Sequence, residues 1–557
     1  MKPELYTCRG TYTSSDPVII SLDQVEEDEI GLVNLFHLQE CVKSLKWDLH
    51  SGNNELNLGF FHDHFQCYGV QVILKDKVLS TSFEICNQEE KTVRYGFLSE
   101  FNSYNPDCIR WLAKFHINAI QFYDWSFRHD HLVSDDDEYE DMMGKHIKKN
   151  VLNDLISQCH SSGIKAIAYG AIYAASEDYY YSHPDEAMLN SLLQPFVFIG
   201  KFYLMDISRD GEYRKHIIHE YQSAISQMHF DGIHMDTYGF PKTAYVQREN
   251  GKRLIYLKEE IPSLINETRN ALGPSQQVSL IFNNVGNWPV LETAKCDQNA
   301  VYVEVWPPYE QYSHLQQIVR EIRSVSEKPI VLAAYLKPFR EDNPICAMYA
   351  SLYLSAACMV LGATCLLLGD DHGILTQGYY SDHSILTDLQ EMMLRSYSDF
   401  MIRYEEILFD HTMDDVSFTH TCWDNYEYRC VSHPVTPYGE PDKIWMILKE
   451  NKKRKCIFLI NLIGNQDPYW NQGKSEPVPQ NNIVFRIQVD TLPVNIWCAS
   501  PEEPDALPVT YSEETDQHGL FVTFAISKLN LLKIIWINSN EKDHNTICSS
   551  DGIYNGS

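Results

Sequence analysis

Between residues 93 and 408, short apolar runs alternate eight times with longer amphipathic stretches, and this alternation constrains the fold more than any other feature of the chain. The candidate strands are 94–101, 118–124, 165–173, 232–236, 278–284, 300–306, 329–335 and 365–369. Helical periodicity marks the stretches 151–162, 211–229, 252–272, 309–325 and 343–360. A chain that leaves a strand through a helix re-enters the sheet in the same direction, so consecutive units of this kind pair in parallel. Eight of them over about 300 residues predict a (β/α)8 TIM barrel. An open doubly wound sheet is the alternative. No glycine-rich phosphate loop follows the first strand, which disfavours a dinucleotide fold.

The flanks have another texture. Residues 1–92 carry short alternating runs such as Pro17–Leu22, Cys67–Leu74 and Leu79–Ile85, and this period of two predicts an N-terminal β-sandwich. From 409 to 557 the strand pattern returns in Ile444–Leu448, Lys455–Leu462, Phe521–Ile526 and Leu532–Ile537. That predicts a C-terminal antiparallel β-domain, ending in about twenty polar residues read as a frayed tail. The fold class expected is therefore multidomain: a barrel over 93–408 between two β-rich domains.

Composition excludes several partners. A net charge of -31 and a pI of about 5.0 repel nucleic acid and anionic membrane surfaces, whereas a neutral polymer meets no such penalty. The 15 cysteines are odd in number and lack CxxC or other metal-ligand spacing, which points to reduced thiols. No run of about 18 apolar residues occurs, and Met1–Leu5 has no apolar signal segment. The expected location is cytoplasmic, for a chain that begins at its natural start.

In a barrel of this kind the chemistry sits at the carboxyl ends of the strands. The second strand ends in Tyr123-Asp124-Trp125, the third in Tyr169-Gly170-Ala171-Ile172-Tyr173, the fourth in His234-Met235-Asp236-Thr237-Tyr238, and the fifth in Asn283-Asn284. The sixth ends in Glu304-Val305-Trp306, the seventh in Tyr335 and the eighth in Asp370-Asp371. Carboxyls beside aromatic rings suit glycosidic chemistry. A carboxyl can protonate a leaving oxygen or attack an oxocarbenium-like centre, and rings stack on the apolar faces of sugars. Asp236 can equally cap the following segment. Glu304, inside an apolar strand, is costly without a partner, and a structural ion pair is its other reading. Asp124 can be an N-cap, an ion-pair partner or an orienting group. His234 shares the face of Asp236, and a satisfied core histidine is its first reading. No GxSxG or HExxH motif occurs. Asp370-Asp371-His372 and the acidic stretch Asp135–Asp141 lack recognisable metal-ligand spacing, so no metal or cofactor is expected.

These strand ends resemble glycoside hydrolase family 66, the family of endo-dextranases and cycloisomaltooligosaccharide glucanotransferases. The phrases that carry the resemblance are Phe122-Tyr123-Asp124-Trp125, Ala168-Tyr169-Gly170-Ala171, Phe230–Gly239 and Val303–Pro308, supported by Val331–Tyr335, Leu366–Gly369 and Arg403-Tyr404-Glu405. The resemblance implies an immunoglobulin-like N-terminal sandwich, a catalytic barrel and a C-terminal β-sandwich domain. It also implies a retaining mechanism on α-1,6-linked glucan, with Asp236 as nucleophile, Glu304 as acid/base and Asp124 as a further site residue. The substrate-facing set expected around them is Asp124, Trp125, Tyr169, Tyr173, His234, Tyr238, Asn284, Trp306, Tyr335 and Asp370. Dextran or isomaltooligosaccharide is the implied partner. The barrel shows no inserted carbohydrate-binding module of the kind found in cyclising members, which favours hydrolysis over cyclisation.

Overall fold

The computed structural model describes residues 3–87, 91–341, 343–421 and 425–539, so the polar tail beyond 539 lies outside the described residues. At the N-terminal end two sheets face each other. One joins Glu4–Thr7, Val18–Val25 and Gly52–Gly59. The other runs Glu40–Leu49, Glu29–His37, Phe65–Ile73, Val78–Cys86, all antiparallel. Val18, Ile20 and Leu22 of the first sheet and Val33, Leu35, Val70, Val72 and Phe83 of the second share one core. This is the apolar alternation legible in the sequence, turned inward from both sides.

The central region is a curled parallel sheet. Its strands are β1 (Tyr95–Leu98), β2 (Ala119–Phe122), β3 (Lys165–Ala171), β4 (Gly232–Asp236), β5 (Ser279–Val285), β6 (Ala300–Glu304), β7 (Ile330–Ala333) and β8, which comes in two pieces, Thr364–Cys365 and Leu368–Gly369. Each strand from β1 to β7 pairs in parallel with the next. The first piece of β8 pairs with β7, and the second pairs with β1 through Gly369 and Phe97, so the ring closes. A side chain at 369 would place its Cβ 2.3 Å from the Phe97 ring, so the seam requires glycine.

Alternate residues sort to the two faces. Tyr95, Phe97, Ile167, Ile281, Tyr302, Val331 and Ala333 fill the interior of the ring. Ile120, Phe122, Ala168, Met235, Phe282, Val303 and Leu332 pack outward beneath the helices. Helices Lys149–Ser161, Glu212–Met228, Leu257–Leu272, Tyr312–Arg323 and Pro344–Leu361 lie close to the expected stretches. One segment differs. Gly251–Tyr256 is not helical but a strand paired with Thr243–Arg248. Its cause is legible in Asn250-Gly251, a hairpin-turn dipeptide, with Gly251 at φ 108°. The expectation that no run of about 18 apolar residues occurs is corrected by Pro344–Leu361, a helix long and apolar enough to cross a membrane, most of which is buried inside the fold. It packs against Asp388–Arg403, the Thr364–Cys365 piece of β8 and the C-terminal strand Arg454–Asn461.

The C-terminal region is again two sheets around one core. Ile444, Met446 and Leu448 face the four-stranded sheet built on Gln480–Val489 and Gly519–Leu529. The intervening Trp445 and Ile447 join the large core of the barrel region.

Two buried cations fasten the parts together. Arg94, at the start of β1, pairs with Glu84 of the N-terminal sheet and lies 3.7 Å from Glu405. Thr92 bridges the cluster, accepting from Arg94 at 2.7 Å and donating to Glu405 at 2.7 Å. Cys67, Glu84 and Glu405 converge closely enough to suit a cation, and the guanidinium of Arg94 supplies the positive charge there. Arg403 donates to the carbonyl oxygens of Leu38 and Pro504, at 3.3 and 2.6 Å, and covers the ring of Phe36.

Candidate active site

The register of the ring decides which strand-end side chains meet. Asp236 lies two residues beyond the inward-facing His234 on β4, and Glu304 two beyond Tyr302 on β6, so both carboxyls enter the mouth. Between them stands Asn283 of β5. Its Nδ2 donates to Asp236 Oδ1 at 2.6 Å and to Glu304 Oε2 at 3.1 Å. Two oxygens held by one nitrogen at those lengths lie no more than about 6 Å apart, a bound that admits the carboxyl spacing of retaining pairs (about 5–5.5 Å) and falls short of most inverting ones (about 6.5–9.5 Å). Each carboxyl has a tyrosine of its own. Tyr169 donates to Asp236 Oδ2 at 2.7 Å, and Tyr335 to Glu304 Oε1 at 2.6 Å. The amide oxygen of Asn283 is buried without a partner.

This environment favours retained protons. Burial, and then the charge of Glu304, push the Asp236 carboxyl up to about 7 against the opposing bonds from Asn283 and Tyr169. Burial also raises Glu304, opposed by bonds from Tyr335, Asn283 and Trp306. Both shifts run upward, and ionising either carboxyl makes ionising the other harder.

The walls are aromatic. Tyr123 lies on Tyr380, centroids 4.4 Å apart, and meets Tyr169 edge-on at 5.2 Å. Tyr380 shares a hydroxyl contact with Tyr302 at 2.9 Å. Trp306, 39% exposed, stands edge-on to Tyr335. Asp124 follows β2 in the left-handed region at φ 50°, a conformation that Asp tolerates better than most residues. Its Oδ1 is 3.8 Å from His129 Nε2, and the other ring nitrogen of His129 meets the hydroxyl of Tyr238 at 3.2 Å.

Of the expected residues, Asp236, Glu304, Tyr169 and Tyr335 form the centre, with Asp124, Tyr238 and Trp306 around it. The other five do not face the mouth. The left-handed turn at Asp124 sends Trp125 into the core, where its Nε1 donates to the Tyr169 carbonyl at 3.1 Å. Tyr173 is buried, its hydroxyl donating to Phe240 O and accepting from Tyr238 N. His234 is buried between Tyr95, Tyr169 and Tyr302, contacts the Tyr95 hydroxyl at 3.2 Å, and is pushed down to about 3 by burial. It is a satisfied core histidine. Asn284 points outward and is used up by Tyr302 O and Thr293. Asp370 is buried and accepts from the backbone and hydroxyl of Ser99. Asp371 accepts from Asn105, and His372 pairs with Glu391, so Asp370, Asp371 and His372 do not converge on a common point.

The residues that sequence reasoning passed over are Asn283, Tyr123, Tyr380, His129 and Gly378. Gly378 lies in the loop after β8, and a Cβ there would be 3.1 Å from the Trp306 ring and 3.3 Å from Glu304 Oε1.

Paired carboxyls joined by an amide thus lie under aromatic walls at the carboxyl end of a closed parallel ring. The chain belongs to glycosyl hydrolase family 66, whose family model matches residues 9–536. A cycloisomaltooligosaccharide glucanotransferase of Niallia circulans is 22% identical, over 82% of this chain and 62% of its own length. A dextranase of Streptococcus salivarius is 21% identical, over 71% of this chain and 55% of its own. The chain thus spans less than two thirds of the length of either relative. Among solved structures, a Paenibacillus sp. cycloisomaltooligosaccharide glucanotransferase complexed with cycloisomaltoheptaose superposes with a TM-score of 0.84 at 19% identity, over 96% of this chain and 99% of the other.

Proposed function

We propose that this protein is a retaining hydrolase of α-1,6-linked glucan, acting on dextran or isomaltooligosaccharides, with Asp236 as nucleophile and Glu304 as acid/base. The observation that carries the reading is the single Asn283 amide bonded to both carboxyls. It supports the short separation that a double displacement needs. In the first step Asp236 attacks the anomeric carbon while Glu304 gives its proton to the departing O6. In the second, Glu304 takes a proton from water, the hydroxide displaces the Asp236 ester, and both groups return to their starting states. These roles need Glu304 protonated while Asp236 is ionised. A glycosidic oxygen beside Glu304 and a cationic carbon beside Asp236 provide that bias once sugar is bound. Tyr169 and Tyr335 hold the carboxyls in orientation. The net charge of -31 is compatible with a neutral polymer and unfavourable to an anionic one.

The test is incubation with dextran, pullulan, starch and isomaltooligosaccharides, with sizing of the products and assignment of their anomeric configuration. Selective cleavage of dextran with an α-anomeric product is expected, and Asp236→Ala and Glu304→Gln each lower turnover by at least about 10²–10⁴. Full activity in either variant, or β-anomeric product, refutes the assignment. The names of the glucanotransferase relatives favour one second reading, in which a sugar hydroxyl in place of water captures the same intermediate. Cyclic products, or oligomers longer than those supplied, would decide for transfer.

A further inference from the structure

The segment between β3 and β4 contains a small antiparallel sheet, with Phe202–Leu204 in the middle, Ala174–Ala175 on one side and Val197–Phe198 on the other. Side chains alternate across such a sheet. Phe198 and Phe202 are register partners and face the mouth, where Phe198 stacks on Tyr238 at 4.3 Å and Phe202 on His129 at 4.8 Å. Val197 and Tyr203, the neighbouring pair in register, belong to the opposite face. There Tyr203 lies flat on Tyr180, centroids 4.1 Å apart and planes 9° from parallel. Tyr181 completes the group, with ring centroids 5.3 Å from Tyr180 and 6.4 Å from Tyr203.

These rings are fixed but uncovered. Tyr180 and Tyr181 ride on the helix Glu177–Ser182, which is capped by Ser176 and tied through it to Asp130. Tyr181 is 66% exposed, and Tyr180 and Tyr203 are partly so. Grouped apolar faces left in water mark a contact surface more often than isolated ones do. A tyrosine offers a flat apolar face and a hydroxyl rim, complementary to the C–H face and hydroxyl edge of a pyranose. The flanking Glu177, Asp178 and Asp185 disfavour an anionic polymer or an anionic lipid surface.

We propose that Tyr180, Tyr181 and Tyr203 form a second binding platform for neutral glucan, outside the mouth and joined to it through the thickness of one sheet. This rests on the glucan reading of the mouth. A chain long enough to touch both sites gains from two-point attachment, and a short oligosaccharide gains nothing.

The test compares wild type with Tyr181→Ala, the double variant Tyr180→Ala/Tyr181→Ala and the conservative Tyr203→Phe, on high-mass dextran and on isomaltotriose, with sedimentation as a control. Both alanine variants should raise KM for dextran about 3–10-fold with kcat unchanged, leave kcat/KM on isomaltotriose unaltered, and migrate faster in dextran-containing native gels. Tyr203→Phe should behave as wild type. Equal loss on both substrates, an unchanged dextran KM, or a change of oligomeric state in the alanine variants overturns the platform. Wild type inert on every α-1,6-glucan sinks the functional reading instead, so the two failures are told apart.

Discussion

Replacing Asp236 by asparagine should remove activity and at the same time make the protein more stable above neutral pH. The carboxyl is raised from 3.8 to about 7, chiefly because burial penalises its charge. A group whose folded-state pKa exceeds its unfolded value stabilises the fold only below the unfolded value, and that contribution is lost as the pH rises through the folded one. From about pH 4 to about pH 7, therefore, the wild-type carboxylate becomes a progressively heavier burden. A shift of about three units corresponds to about 4 kcal/mol at most, at about 1.4 kcal/mol per unit. The new amide cannot accept from both Tyr169 and Asn283, which returns about 1–2 kcal/mol. A net gain of about 2–3 kcal/mol at pH 8 remains, read as a rise of a few degrees in the unfolding midpoint of the barrel. The assay is differential scanning calorimetry of both proteins from pH 5.5 to pH 8.5, with the gap between them narrowing toward the acid end. A variant no more stable than wild type at pH 8, or a gap independent of pH, would refute the claim that function is held here at the expense of stability.

Tyr335→Phe removes a bond that holds the Glu304 carboxyl down, so the basic limb of the kcat/KM profile should move to higher pH; a limb that stays in place would deny Tyr335 that role. Gly378→Ala forces Trp306 or Glu304 to give by a few tenths of an ångström. It should lower kcat/KM about tenfold without moving the melting temperature, since small misplacements at a reacting group are expensive in rate. Arg94→Met leaves Glu84 and Glu405 buried without their cation, and should cost about 3–5 kcal/mol in chemical denaturation; a loss under about 1 kcal/mol would deny Arg94 its fastening role.

The ring of strands and its two carboxyls were legible because apolar runs and strand ends follow directly from periodicity. What failed was mostly parity and turn geometry. On β5 the inward positions are 281 and 283, so Asn283 and not Asn284 reaches the carboxyls, and counting by twos from Ile281 would have found it. Trp125 belonged to a persuasive strand-end phrase, but the φ of Asp124 turns the chain away from the mouth after it. Tyr380 and Gly378 lie in the loop after β8, where no repeat of two or of 3.6 governs which residue returns to the site. Their contribution depends on a chain reversal that only the folded ring fixes.

Arg403 carries one more consequence. A single guanidinium reaching Leu38 on one side and Pro504 on the other gives each flank a stake in the same buried side chain. Such a chain does not come apart into cassettes. Excising the N-terminal flank would take the Leu38 carbonyl from Arg403, and excising the C-terminal flank would take the Pro504 carbonyl and open the large core at Trp445 and Trp536.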